Sequence, residues 1–158
     1  MHADATETGP EPLPPGPLTF QASTWYLLAM AGSWARHLWA DMLTQLHVSP
    51  SQFKVLRALS ESGPTGQHEL AGLIAVDPRN VVPLIDGLAE RGLLAREVDP
   101  ADRRRRVLTL TARGQDLAAE LASIGAELEN DFLSPLTTAE QQSLRQMLLS
   151  VLRSHGAG

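Results

Sequence analysis

Four consecutive arginines, Arg103 to Arg106, close the run Asp99-Pro100-Ala101-Asp102-Arg103-Arg104-Arg105-Arg106. Guanidinium groups packed this densely repel one another unless a polyanion meets them, and each carries planar N–H forks suited to phosphate. The plainer alternative is a solvated charge run, and the flanking sequence has to separate the two. Asp99 and Pro100 suit the first two positions of a type I turn, with Pro presetting φ at the second. On the return side, Arg106-Val107-Leu108-Thr109-Leu110 is β-branched and apolar enough to be a strand. The expected element is a β-hairpin with arginines at its tip. Asp102 stands two residues before Arg104, spaced to hold that guanidinium in position.

A second pair with chemistry of its own is Arg79-Asn80. Arginine pairs with guanine, and asparagine with adenine, through two parallel hydrogen bonds. An ordinary polar first turn of a helix is the alternative. The surrounding residues do specify a helix: Asp77 is a cap, Pro78 fits the first position, and Val81, Leu84, Ile85 and Leu88 recur at the spacing of one buried face. Arg91-Gly92 ends it. Upstream, Leu70, Leu73 and Ile74 mark a shorter helix with Thr65 as its cap, separated by the break at Ala75-Val76. Two helices joined by a tight turn are a helix-turn-helix, whose second helix points its first turns into the major groove. Thr65 and Gln67, at the start of the shorter helix, are counted with the DNA-facing residues.

The arginine hairpin directly after this pair makes a winged helix. A wing arginine suits a minor groove, where narrow walls concentrate negative potential. Its neighbours Arg103 and Arg105 then bind phosphate, which adds affinity without sequence information.

Net charge points the other way at first. The 158 residues carry a formal −5. Between Arg91 and Arg113, however, seven arginines face three acids, a local +4 that leaves −9 elsewhere. A basic patch on an acidic body fits a protein that meets DNA on one face. Cysteine is absent, so disulfides, thiolate metal sites and thiol redox sensing are excluded. The five histidines show no metal-ligand spacing, and no phosphate-cradling glycine loop or nucleophile elbow is present. Neither catalysis nor a cofactor is expected. No signal-like segment opens the chain, and the most apolar stretch, Trp25 to Ala35, is too short for a membrane span, so the expected location is cytoplasmic.

Other elements must position these groups. Residues 1–17, with five prolines, read as a disordered tail. Residues 18–47 form a helix apolar over most of its circumference. Leu27, Ala31, Trp34, Leu38 and Met42 lie on one face, with Trp25, Leu28, Ala35, Trp39 and Leu43 on another. Such a helix is expected to be buried on two sides, one of them by a second subunit. Its tryptophans read as packing residues, with a ligand cage as the alternative. Residues 48–111 are the DNA-binding domain. They open with a capping box, Ser49-Pro50-Ser51-Gln52, a Val48–Phe53 staple, an inward face of Phe53, Leu56 and Leu59, and a stop at Gly63-Pro64. Residues 112–158 hold two more helices. The first is capped by Thr111, has a seam of Leu117, Leu121, Ile124 and Leu128, and stops at Pro135. The second has a Thr137–Glu140 capping box and an apolar face of Leu144, Met147, Leu148, Val151 and Leu152. The fold class is thus mainly α with a small β-hairpin, a winged helix-turn-helix plus a helical dimerisation layer.

From about Leu18 onward the chain resembles the multiple-antibiotic-resistance regulator (MarR) family of bacterial transcription factors. The most specific part is Asp99-Pro100-Ala101-Asp102-Arg103-Arg104 followed by Leu110-Thr111 and Gly114, similar to the family pattern Asp-x-x-Asp-x-Arg leading to Leu-Thr-x-x-Gly. Leu88-Ala89-Glu90-Arg91-Gly92-Leu93-Leu94 looks like the end of the family's recognition helix. The resemblance implies a homodimer on a pseudo-palindromic operator of double-stranded DNA, with Arg104 entering the minor groove and Asp102 as its partner. It also implies release by a small aromatic or phenolic effector, for which Trp25, Trp34, His37 and Arg57 are the candidate pocket residues. Two residues depart from the pattern. Pro83 stands where the family often has a polar or basic residue facing DNA, and it removes a hydrogen bond to the Arg79 carbonyl at a cost of about 3 kcal/mol. Gly87 weakens the same helix by roughly 1 kcal/mol. Base contacts are therefore not expected beyond Asn80.

The competing reading is a winged helix used for chromosome architecture or protein interaction, with no effector. Sequence preference separates the two, because a regulator favours one palindrome over random DNA by roughly 10³ or more.

Overall fold

The computed structural model describes residues 20, 23–99, 102–104 and 106–155. The tail at residues 1–17, the second position of the Asp99-Pro100 turn, and Arg105 lie outside them. Among the described residues six helices and one hairpin follow in order: α1 (Thr24–Gln45), α2 (Pro50–Ser62), α3 (Gln67–Leu73), α4 (Pro78–Glu90), β1 (Leu94–Val98), β2 (Arg106–Leu110), α5 (Ala112–Phe132) and α6 (Thr138–Ser154). The chain divides into two compact units, the first ending at Leu121 and the second beginning at Ala122.

Local chemistry sets most boundaries in the first unit. The Ser23 hydroxyl accepts the Tyr26 N–H and starts α1. At α2 the capping box is complete: the Ser49 hydroxyl accepts the Gln52 N–H at 3.2 Å, and the Gln52 side chain accepts the Ser49 N–H at 3.0 Å. Gly63, at φ 72°, ends that helix in the backbone region where glycine pays no steric penalty. Phe53 is only half-buried and meets Trp39 edge-on, with ring centroids 5.7 Å apart. The fully buried face of α2 is instead Val55, Leu56 and Leu59.

Thr65 departs from expectation. The cap of α3 is Gly66, with no side-chain hydrogen bond. Thr65 is 2% exposed, its hydroxyl donates to the Gly63 carbonyl, and its backbone pairs with Leu108 in both directions, at 3.1 and 2.8 Å. It therefore adds a third, one-residue rung beside the hairpin. A buried polar side chain satisfied in this way braces the wing and offers nothing to DNA. Gln67, by contrast, is exposed.

The core of this unit is apolar and closed. Val81, Ile85 and Leu88 of α4 are fully buried and share the interior with Leu56, Leu59, Leu70, Leu93, Leu94, Val107 and Leu108. The hairpin is antiparallel, in register from Leu94 opposite Leu110 to Val98 opposite Arg106. Its return strand runs into α5 through Thr111, whose hydroxyl accepts the Gly114 N–H and donates to the Gly92 carbonyl, while its own N–H donates to Leu93. Thr111 thus caps α5 and ties it to the turn after α4.

In the second unit, Gln141 donates to the carbonyls of Leu133 and Leu136 and fixes the turn before α6. The Thr137–Glu140 capping box forms, and hydrogen bonds from the Thr137 hydroxyl and N–H hold the Glu140 carboxyl below the ordinary glutamate range. A depressed folded value means that this contribution is complete above the unfolded value and is lost as pH falls through the folded one, below the ordinary glutamate range. Glu140→Gln should therefore remove part of the acid sensitivity of helicity, as read by circular dichroism across that range. No residue of α6 is buried, and Met147, Val151 and Leu152 are about half exposed.

Candidate nucleic-acid interface

The short α3, a turn through Ile74 and Ala75, then α4 and the β1–β2 hairpin form a winged helix-turn-helix. Ala75 takes a positive φ of 53°, which lets the chain reverse in so few residues. Asp77 caps α4, and Pro78 occupies its first turn. Pro83 lies inside α4, which continues unbroken to Glu90, its packing on the core face outweighing the missing bond.

Arg79 and Asn80 are both exposed at the first turn. The Arg79 guanidinium is tied to Asp77 by Nε to Oδ1 at 3.1 Å and Nη2 to Oδ2 at 2.9 Å. The same Oδ1 accepts the Arg79 main-chain N–H at 2.8 Å. The guanidinium, and after it that N–H, hold the Asp77 carboxyl below the usual aspartate range, and the carboxylate in turn raises Arg79.

At the hairpin tip Asp102, Arg103 and Arg104 are exposed. Asp102 does engage Arg104, but through the main chain: its carboxylate accepts the Arg104 N–H at 2.9 Å. Aspartate two residues before a backbone N–H forms this local turn readily, and it leaves the guanidinium outside the bond. The expected side-chain pairing is thus replaced by one that fixes the main chain from Asp102 to Arg104.

Two of the seven local arginines are structural, which composition did not separate. Arg96 on β1 bonds Asp86 on α4 at 2.5 Å, fixing the wing to the second helix. Arg91 donates to the His47 carbonyl at 2.8 Å, joining the end of α4 to the bend between α1 and α2. These pairs are ten and 44 residues apart, so no local pattern announces them.

The four candidate pocket residues do not gather. Trp25 is 81% exposed and Trp34 is 40% exposed. They stand nine residues apart on α1, about 14 Å along the helix axis. His37 is exposed and bonds back to Ser33, and Arg57 pairs with Glu61 on its own helix. Among the described residues no group of three or more His, Asp or Glu side chains is placed to hold a metal, and no helix is long and apolar enough to cross a membrane.

The MarR family profile matches residues 48–105, from the start of α2 to the wing. The transcriptional regulator HosA of Escherichia coli O111:H- is 30% identical over 103 residues, covering 65% of this chain and 76% of that protein. The HTH-type transcriptional repressor Rv2887 of Mycobacterium tuberculosis is 30% identical over 123 residues, covering 78% and 88%. Among solved structures, BpsR of Bordetella bronchiseptica superposes with a TM-score of 0.64 at 28% identity, covering 86% of this chain and 97% of that one. The structure of BpsR is described as a mechanism for regulation of its DNA binding by 6-hydroxynicotinic acid. The chain belongs to the MarR family. It is a DNA-binding regulator of transcription.

Proposed function

We propose that this regulator is a homodimeric repressor that binds a pseudo-palindromic operator, with α4 in the major groove and the wing in the adjoining minor groove. The observation that carries this reading is the pairing of exposed Arg79 and Asn80 on α4 with exposed Arg103 and Arg104 on a wing fixed to the same helix by Arg96–Asp86. Homodimerisation is supported by the apolar residues that each terminal element leaves in water. Trp25, Leu27, Leu28 and Trp34 on α1 are at least 40% exposed, as are Met147, Leu149, Val151 and Leu152 on α6. Exposed apolar surface of that kind marks a protein contact.

Selecting bound duplexes from random sequence tests the reading. The expected product is a palindrome with half-sites about one helical turn apart, preferred over random DNA by roughly 10³ or more. Equal binding to all duplexes would favour an architectural module instead. Within the selected operator, Arg103→Ala should weaken binding to every sequence alike and lower the salt slope by about one. An effect confined to one sequence contradicts its phosphate role.

Release by a small aromatic or phenolic effector is the second part of the proposal. Its support is the ligand named for BpsR together with the tryptophans on α1. Titrating hydroxylated aromatic acids into the operator complex should dissociate it and change tryptophan fluorescence in the same concentration range.

A further inference from the structure

The residues that α4 offers for base contacts are few. Pro78, Arg79, Asn80 and Pro83 are its exposed positions in the first two turns, and the two prolines carry neither an N–H nor a polar side chain. Arg79 is the one cation in the helix, and Asp86 is committed to Arg96. Hydrogen-bonded reading of base edges therefore falls to Arg79 and Asn80.

How Arg79 is held then matters. Asp77 grips it side-on, through Nε and Nη2. That fork consumes the Nε–H and one Nη2–H. Both Nη1–H groups and the second Nη2–H remain on the end of the guanidinium, the edge whose two parallel donors match O6 and N7 of guanine. The carboxylate suits its place, because free N–H groups at a helix start favour an anion. It also sets a counter-charge against Arg79, which weakens the pull of phosphates on a side chain that is otherwise 89% exposed.

We propose that Asp77 is a specificity-determining positioning residue, holding Arg79 side-on so that its free end reads one guanine in each half-site and stays off the phosphates. This rests on the reading that α4 enters the major groove. It assigns Asp77 a role beyond capping, and it accounts for how a recognition helix with Pro83 on its exposed face can still discriminate.

The test uses the full-length protein and its selected operator. Asp77→Ser keeps a good cap but is too short to reach the guanidinium, and Asp77→Asn keeps the cap with one acceptor oxygen instead of two. An exposed ion pair adds little stability, so both variants should melt like the parent. The parent should prefer guanine at one position per half-site by on the order of tenfold or more, and 7-deazaguanine there, which lacks N7, should lose most of that preference. Arg79→Ala should abolish it. Asp77→Ser should lose most of it at that position alone, and adding Asp77→Ser to Arg79→Ala should change nothing further. Asp77→Ser should also steepen the salt dependence by up to about one per protomer, as the released arginine reaches a phosphate. Asp77→Asn should fall between Asp77→Ser and the parent. Uniform weakening on all duplexes with an unchanged salt slope would overturn the proposal and leave Asp77 a cap. So would a guanine preference that survives Asp77→Ser. If the parent selects no sequence at all, the major-groove reading fails with it.

Discussion

Replacing Gly114 by alanine should destabilise the protein by about 3 kcal/mol, although alanine is the better helix former by about 1 kcal/mol. Gly114 is buried in the first turn of α5. A Cβ there would overlap the carbonyl oxygen of Leu93 and stand 3.0 Å from its carbonyl carbon. That carbonyl is not free to move, because it accepts the Thr111 N–H while the Thr111 hydroxyl holds Gly92. The obstacle is the main-chain carbonyl of Leu93 and not the far end of a flexible side chain, so nothing can swing aside. Overpacking of this kind commonly costs 1–3 kcal/mol, and the rigid neighbour places it at the upper end. Denaturant titration of the two proteins decides the sign. A gain of about 1 kcal/mol would mean that helix propensity governs and that the close approach is relieved at little cost. Because the same contacts join α5 to the base of the wing, operator affinity should fall as well.

Arg104→Ala should lower affinity for the selected operator by about ten- to a hundredfold while leaving the proposed homodimer intact. Arg104 is exposed at the hairpin tip, and its main chain is held by Asp102. The Arg104 main chain is thus held before DNA arrives, and the lost interaction is the guanidinium itself. Binding should be measured at fixed salt, with sedimentation as the check on assembly. Unchanged affinity would mean that the wing does not touch DNA. Asp102→Asn is a useful companion, since asparagine can accept the same Arg104 N–H. If Asp102 acts by shaping the loop, that substitution should cost far less than Asp102→Ala.

Where a boundary depends on residues within one turn of each other, it was legible before any fold was known. Ser49 with Gln52, Asp77 with Pro78, Thr111 with Gly114, and Thr137 with Glu140 all do what their spacing promises. The buried face of α4 and the hairpin were legible for the same reason, since helix and strand periodicities are local. Thr65 was misread because a threonine just before a helix has the features of a cap, while the partner that claims it, Leu108, is 43 positions away. The candidate pocket residues stand apart within one chain because Trp25 and Trp34 are nine residues apart on one helix, about 14 Å along its axis, while His37 and Arg57 bond within their own helices.

The arginine run shows the same division most clearly. Sequence alone established that positive charge concentrates between Arg91 and Arg113, that a hairpin carries it, and that a helix-turn-helix precedes it. It also placed Arg79 and Asn80 at the start of the second helix. Tertiary structure decided which charges are available. Arg91 and Arg96 are spent on His47 and Asp86, 44 and ten residues away in sequence. A guanidinium has five donors and a long stem, so its partner is chosen by whatever acceptor the packed chain brings within reach. Composition counts charges, whereas folding determines which of them remain exposed for DNA.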